Sequence, residues 1–399
     1  MMNPRKVLSA ALFAVTVSAA ALAQQPATIA PLPGVVPPGY PLAPHAPGLT
    51  AKALADIPIS QIKLPPGFKI EVWATDLPNA RTIAISDKGT VFVGTRFVGN
   101  VYAVVDEGGQ RKVHVIAKGL HRPNGVAFKD GTLYVAELSR IIKYEGIESR
   151  LDNPPAPVPV YVDLPKDEPH GWKYLRLGPD GKLYFQIGSP GNIVMPNFWT
   201  HAQITRINTD GSGRQIMAQG VRNSVGFDWD PKTKHLWFTD NGRDIMGDDQ
   251  PNDELNHLSR IGEHFGFPYC HQGDLPDPDF HSGRKCSEFT PPVVKMGPHV
   301  AALGMSFYTG KMFPKEYQNR IFIARHGSWD RKDRVGVDLV TVNISAKEPK
   351  PEVFASGWLS DDRKTHFGRP ADVKVMKDGS LLVSDDTAGA LYRISYKKP

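Results

Sequence analysis

Cysteine is scarce in this chain, with two in 399 residues. Two thiols exclude a thiolate metal cluster and a disulfide-packed miniprotein. After the N-terminus no apolar run is long enough to cross a bilayer, so no membrane span is expected there. The charge surplus is small, +6 overall. No Lys/Arg block with interleaved aromatics occurs, so nucleic acid is not an expected partner. There is no Gly-x-Gly-x-x-Gly and no Walker loop to hold nucleotide phosphates. There is no Cys-x-x-Cys-His, so no covalent c-type haem is expected. Wholesale disorder is excluded by 41% hydrophobic and 22% charged residues. What the chain has in quantity is turn formers, 37 glycines and 36 prolines. That suits a turn-dense all-β chain over a helical bundle.

Residues 1–23 read as a secretory signal. Arg5 and Lys6 supply the positive start, Val7 to Ala20 is mostly apolar, and Ala21-Leu22-Ala23 offers a small-residue cleavage site before Gln24. An N-terminal membrane anchor is the competing reading, disfavoured by the short apolar stretch and by Ser9, Thr16 and Ser18. Cleavage would leave a net charge of +4, too small to argue for an anionic membrane as partner. Residues 24–64 are rich in Pro and Ala, an extended tether or surface arm with no core of its own. Residues 65–399 are left as one folded domain. An exported chain meets an oxidising compartment, periplasmic or extracellular. There Cys270 and Cys286 are expected to form a disulfide, the alternative being two free thiols.

A two-strand unit recurs six times. Its copies start at Thr82, Gly125, Tyr174, Val225, Gly304 and Val373, and each is a short apolar strand, a turn and a second apolar strand. Gly89, Gly131, Gly181 and Gly379 follow Lys or Asp in four of the turns, where a tight hairpin needs positive φ. A third candidate strand follows each hairpin, among them Ile204–Ile207 and Leu258–Ile261. A fourth precedes each, from Ile70–Trp73 to Glu352–Ala355. Six units of four strands predict an all-β, six-bladed β-propeller with four-stranded antiparallel blades, interrupted by one insertion around the cysteines. A pair of β-sandwiches is the competing fold; sandwiches do not require equal units.

A hairpin brings the residue before its first strand and the residue after its second to one face. Before the inner strands stand Arg81, Arg122 and Asn124, His170, Arg222 and Asn223, His299, and Arg369. After the second strands stand Arg96, Glu137, Ser189, Asn241 to Asp244, Arg325-His326, and Asp385-Asp386. Guanidinium groups aimed at one axis repel one another unless an anion lies between them, and Arg is suited to carboxylate. The face is therefore expected to take a compact polyanion. Gly242 with Asp244, Asp248, Asp249, Asn252, Asp253, Glu254 and Asn256 suggests either a Ca²⁺ loop or a solvated acidic loop. His170 is the candidate base, since a neutral imidazole accepts a hydroxyl proton.

At these residues the chain resembles the soluble quinoprotein sugar dehydrogenases, the glucose/sorbosone dehydrogenase family that uses pyrroloquinoline quinone (PQQ). The resemblance runs over about residues 60–397. It rests on Leu64-Pro65-Pro66-Gly67-Phe68, on His170 followed by Leu175 to Tyr184, and on Gly220-Val221-Arg222-Asn223. It also rests on Asp253-Glu254-Leu255-Asn256 with Gly266-Phe267-Pro268, and on Gly368 to Val373. The resemblance implies that His170 takes the substrate hydroxyl proton while hydride passes to the quinone. It implies that Arg222 and Asn223 stand beside the quinone oxygens, with Arg222 stabilising developing charge. Main-chain carbonyls of Gly242 and Arg243 would bind the Ca²⁺ that polarises the quinone. Arg369, Arg325 and Asn124 would complete the cofactor site. Arg325 stands where glucose oxidisers of the family have lysine, and Pro169 where they have aspartate. Those departures favour a sorbosone-like or broad aldose substrate, with electrons passed to a separate acceptor, diffusible or protein.

Two other classes compete. A six-bladed Ca²⁺-dependent lactone hydrolase would need carboxylate and amide metal ligands on the axis, where this chain offers mostly cations. A non-catalytic glycan- or peptide-binding propeller would share the architecture without the chemistry.

Overall fold

The computed structural model describes residues 48–398. The signal segment and the first part of the Pro/Ala-rich arm lie outside the described residues. Among those described, no helix is long and apolar enough to cross a membrane.

The six predicted units are six four-stranded antiparallel blades, the third extended by a short parallel strand, Glu263–His264. The first inner strand is Ala80–Ile85, followed by Val91–Thr95, Val101–Glu107 and Gln110–Ala117. The inner strands of the next five blades are Gly125–Lys129, Leu175–Leu177, Gly226–Trp229, Ala302–Phe307 and Pro370–Val375. The grouping of strands differs from the expected one. Each strand that precedes a hairpin belongs to the blade before it. The sixth blade is completed by Phe68–Ala74, which pairs antiparallel with Ala390–Tyr396, Phe68 opposite Tyr396. The N-terminal strand thus closes the ring against the C-terminal one.

Alternation along the strands explains the packing. Six apolar clusters each lie between two neighbouring blades. Phe92 and Ala103 of the first meet Val126, Leu133 and Val135 of the second. Leu382 and Leu391 of the sixth meet Ile83, Val91 and Val93 of the first. No blade has a complete core alone, so the ring folds as a unit. The arm takes part from its described end. Ile57 is 5% exposed and joins the cluster of Tyr308, Phe322 and Trp358. Lys63 forms a bridge with Ser356. A segment too rich in Pro and Ala for its own core therefore contributes to the propeller's.

The fourth blade departs from expectation. Its third strand is Asn252–Leu258, not Leu258–Ile261. Asp253, Glu254 and Asn256 are buried strand residues, not a solvated loop. Asp253 Oδ1 accepts the Gly242 N–H at 2.9 Å, and Glu254 Oε1 accepts the Gln272 N–H at 2.7 Å. The carboxylates satisfy backbone donors of the loops above them. The insertion that follows carries the disulfide, Cys270–Cys286, with Cα atoms 5.4 Å apart.

The inner strands approach closely. A Cβ at Gly304 would lie 2.1 Å from Asp372 Oδ1 and 2.5 Å from Asp372 Cα on the next blade. Backbone cannot yield there. Gly304→Ala is expected to destabilise the fold by about 1–3 kcal/mol, the range for overpacking. A denaturant midpoint unchanged from the parent would show that the strands can separate.

Candidate functional site

One face of the ring gathers the residues at the starts of inner strands and the ends of second strands. Two buried carboxylates set the local backbone. Asp240, at the end of a second strand, accepts the N–H groups of Arg222 at 2.8 Å and Asn223 at 2.6 Å. Asp385, in the same place on the sixth blade, accepts those of Arg369 and Ala388, each at 2.8 Å. Burial pushes both carboxyls up to about 6, against the pull of those donors.

His170 adopts φ 51°, and its approach needs a glycine opposite: a Cβ on Gly188 would meet His170 Cβ at 2.5 Å. Nδ1 lies 3.0 Å from the Ser189 carbonyl. A carbonyl only accepts, so Nδ1 carries the hydrogen and Nε2 is the free lone pair of the neutral ring. Burial, then the cations of Arg222 and Arg96, hold the imidazole pKa well below its ordinary value.

Arg222 is 3% exposed, and all five of its N–H donors are engaged. Nε and Nη2 donate to Asn192, Nη1 to the carbonyls of Asn241 and Gly242, and Nη2 also to Asp244 Oδ2 at 2.8 Å. The Gly242 carbonyl receives Arg222 Nη1 at 2.6 Å, so a cation on that oxygen would use its second lone pair and sit close to the guanidinium charge. The Arg243 side chain turns into the insertion, where it pairs with Asp277 at 2.6 Å. Asn223 Oδ1 is buried without a hydrogen-bond partner.

Across the same face, Arg81, Arg96 and Arg369 converge around His326 and Asp386. Arg81 pairs with Asp386 at 2.9 Å, and Asp386 also holds His326 Nε2 at 2.9 Å. Arg369 donates to the carbonyls of His326 and Gly327, each at 2.8 Å. Burial, then Arg369, pushes His326 down to about 3, and Arg369 itself is lowered to about 10 by burial, with Arg81 adding to that. Arg96 differs from its neighbours. Its guanidinium lies 3.3 Å from the centre of the Trp172 ring, and no ion pair to it is formed among the described residues. Its Nε is buried without a hydrogen-bond partner, as is Trp172 Nε1. Burial lowers its pKa well below the usual value, and the charges of Arg81 and Arg122 lower it further. A guanidinium desolvated beside other cations is the strongest unmet electrostatic demand on this face.

The expected site residues fare differently. His170, Arg222, Asn223 and Arg369 stand on this face, as do Arg81 and Arg96. Asn124 is 1% exposed. It accepts from Arg81 Nε at 3.3 Å and donates to the Lys173 carbonyl at 2.8 Å, so it positions Arg81. Arg325 turns away: Asp338 binds it through two contacts, 2.7 and 2.6 Å. It lines a separate cavity of about 460 Å³ with Arg331, Arg334 and Arg363. Its neighbour His326 faces the cluster instead, since successive side chains at a strand end point opposite ways. Arg96 and Asp386 stand at converging hairpin ends without a motif that assigns them a role, and Trp172 carries no sequence signature of its own. Their signal was position alone, at a hairpin end and two residues after His170.

The comparisons agree with this architecture. The PQQ domain of pyranose dehydrogenase from Coprinopsis cinerea has the same fold, with a TM-score of 0.71 at 17% identity, covering 84% of this chain and 97% of that one. Residues 62–397 match the TrAA12-like family, and the chain belongs to that family. An uncharacterized protein of Borreliella burgdorferi is 35% identical over 354 residues, 85% of this chain and 92% of its own length. The aldose sugar dehydrogenase YliI of Escherichia coli is 26% identical over 196 residues, 47% of this chain and 46% of its own.

Arg96→Met should raise the stability of the ligand-free protein, because it removes an uncompensated cation. It should also weaken binding of a tricarboxylate probe such as citrate about tenfold or more, the loss of one charge-assisted contact. Citrate affinity equal to the parent's, measured calorimetrically at low salt, would remove Arg96 from the anion site.

Proposed function

We propose that this protein is an exported quinoprotein dehydrogenase that oxidises an aldose or sorbosone-like sugar at a CH–OH group, with PQQ as acceptor. The observation that carries the reading is the unpaired Arg96 guanidinium on Trp172, flanked by Arg81 and Arg369. A planar tricarboxylate meets that demand through charge and shape together. The orphaned Asn223 Oδ1 and Trp172 Nε1 fit polar atoms on its rim. Arg81, Arg96, Arg369 and Asn223 would hold it, with Asn124 fixing Arg81. When bound, the quinone supplies the two-electron acceptor for hydride from the substrate carbon.

The chain's own groups do the rest. His170 Nε2 accepts the substrate hydroxyl proton, and its Nδ1–H on Ser189 keeps the ring oriented. Burial and Arg222 keep that base neutral. Arg222 acts on the reaction through its field, because contact with quinone oxygens would require release of Asn192 or Asp244. A Ca²⁺ ion, as the resemblance implies, would be held by the Gly242 and Arg243 carbonyls, with the Gly242 oxygen shared with Arg222 Nη1. The disulfide supports a periplasmic or secreted location, and reduced cofactor would pass electrons to a separate diffusible or protein acceptor.

The test is dye reduction by the mature chain with aldoses. Activity that needs added PQQ, with Ca²⁺ present, supports the proposal. Lactone hydrolysis without quinone would favour a hydrolase, and sugar binding without turnover a binding platform. His170→Ala should lower kcat about 10²–10⁴-fold and leave quinone binding intact. Because the imidazole pKa is depressed, the base stays unprotonated below the ordinary histidine value of 6.5. kcat/KM should therefore hold level as pH falls from 8 through about 6. An acid limb centred on an unshifted histidine would contradict the assignment.

A further inference from the structure

A second cluster lies beside the Arg222 loop and shares only Asp244 with the contacts of Arg222. Asp244, His299 and Asp330 bring two carboxylate oxygens and one ring nitrogen within 4.8 Å of one another. They come from three loops. Asp244 follows Leu236–Asp240, His299 precedes Ala302–Phe307, and Asp330 follows Ile321–Arg325. The side chains of His299 and Asp330 are 4% and 7% exposed.

The surroundings fix the imidazole tautomer. Nε2 lies 2.8 Å from the Gly247 carbonyl and 3.0 Å from that of Gln250. Both oxygens only accept, so Nε2 carries the hydrogen and Nδ1 of the neutral ring is a lone pair. That lone pair faces Asp330 Oδ2 at 3.2 Å. Asp330 Oδ1 is buried with no hydrogen-bond partner. Asp244 adds a second carboxylate, of which Arg222 engages one oxygen. A lone pair beside a buried carboxylate, with the part-exposed Asp244 carboxylate close by, favours a positive species among them. An imidazole that gives its other N–H to a backbone carbonyl is the usual outer-shell arrangement of a metal ligand.

We propose that Asp244, His299 and Asp330 form a binding site for a divalent cation of the zinc or manganese class. One imidazole nitrogen with two carboxylates suits those ions, whereas Ca²⁺ takes oxygen donors. The site is distinct from the Gly242 and Arg243 carbonyls and does not depend on quinone. The bound ion ties loops of the fourth and fifth blades together. It also fixes Asp244, which holds Arg222 beside the base.

The full chain, stripped with chelator and free of quinone, is titrated with Zn²⁺ and assayed by elemental analysis after dialysis. The parent for this test carries His257→Gln, because His235 Nδ1 and His257 Nε2 stand 2.9 Å apart near the surface and invite adventitious metal. The parent is expected to retain about one ion per chain, and Asp330→Asn and His299→Gln each to bind at least about tenfold more weakly. Circular dichroism reports whether each variant folds. A parent that retains no ion overturns the proposal. Unchanged binding in the folded variants overturns it too. Whatever the variants do, a Cu²⁺ paramagnetic resonance spectrum of the parent without a nitrogen ligand does the same.

Discussion

Like charges are held together at one end of a ring axis, and the rest of the face is arranged around that fact. Arg81, Arg96, Arg122 and Arg369 come from the first, second and sixth blades. They meet because Phe68–Ala74 pairs with Ala390–Tyr396 and closes the circle. Burial first, and then their mutual repulsion, lower the pKa values of Arg96 and Arg369. It is sustained by the six apolar clusters between blades and by carboxylates beneath the loops. Asp240 and Asp385 do not face the ligand side; they bind backbone N–H groups and so determine where Arg222 and Arg369 begin.

The same positive field serves two ends. Toward the Arg96–Trp172 stack it meets the proposed flat polyanion. Toward His170, burial first and then the cations of Arg222 and Arg96 hold the imidazole pKa low, as the proposed base requires. Asp386 tempers the field locally. Burial opposes its charge, yet His326, Arg81 and Arg369 hold it ionised. Arg222 has exhausted its donors on Asn192, the Asn241 and Gly242 carbonyls and Asp244, and so acts at a distance. The carboxylate that anchors it, Asp244, also belongs to the proposed cation cluster, which couples that cluster to the base through one guanidinium.

Apolar alternation and evenly spaced turn glycines made the six blades legible in the linear chain, because period-two burial and tight hairpins are local properties. The same regularity pointed to the hairpin ends, and so to His170, Arg222, Asn223 and Arg369. Local pattern misled in the fourth blade. Asn252–Leu258 reads as an acidic loop, since strand carboxylates with buried backbone partners are indistinguishable by composition from exposed ones. Which blade an outer strand joins, that Ile57 enters the core, that Arg325 turns to Asp338 while His326 turns inward, and that Arg96 meets Trp172 all depend on contacts between segments far apart in the chain. Such contacts exist only once the ring is closed, because side-chain direction and burial at the axis are set by neighbouring blades rather than by the residues adjacent in sequence.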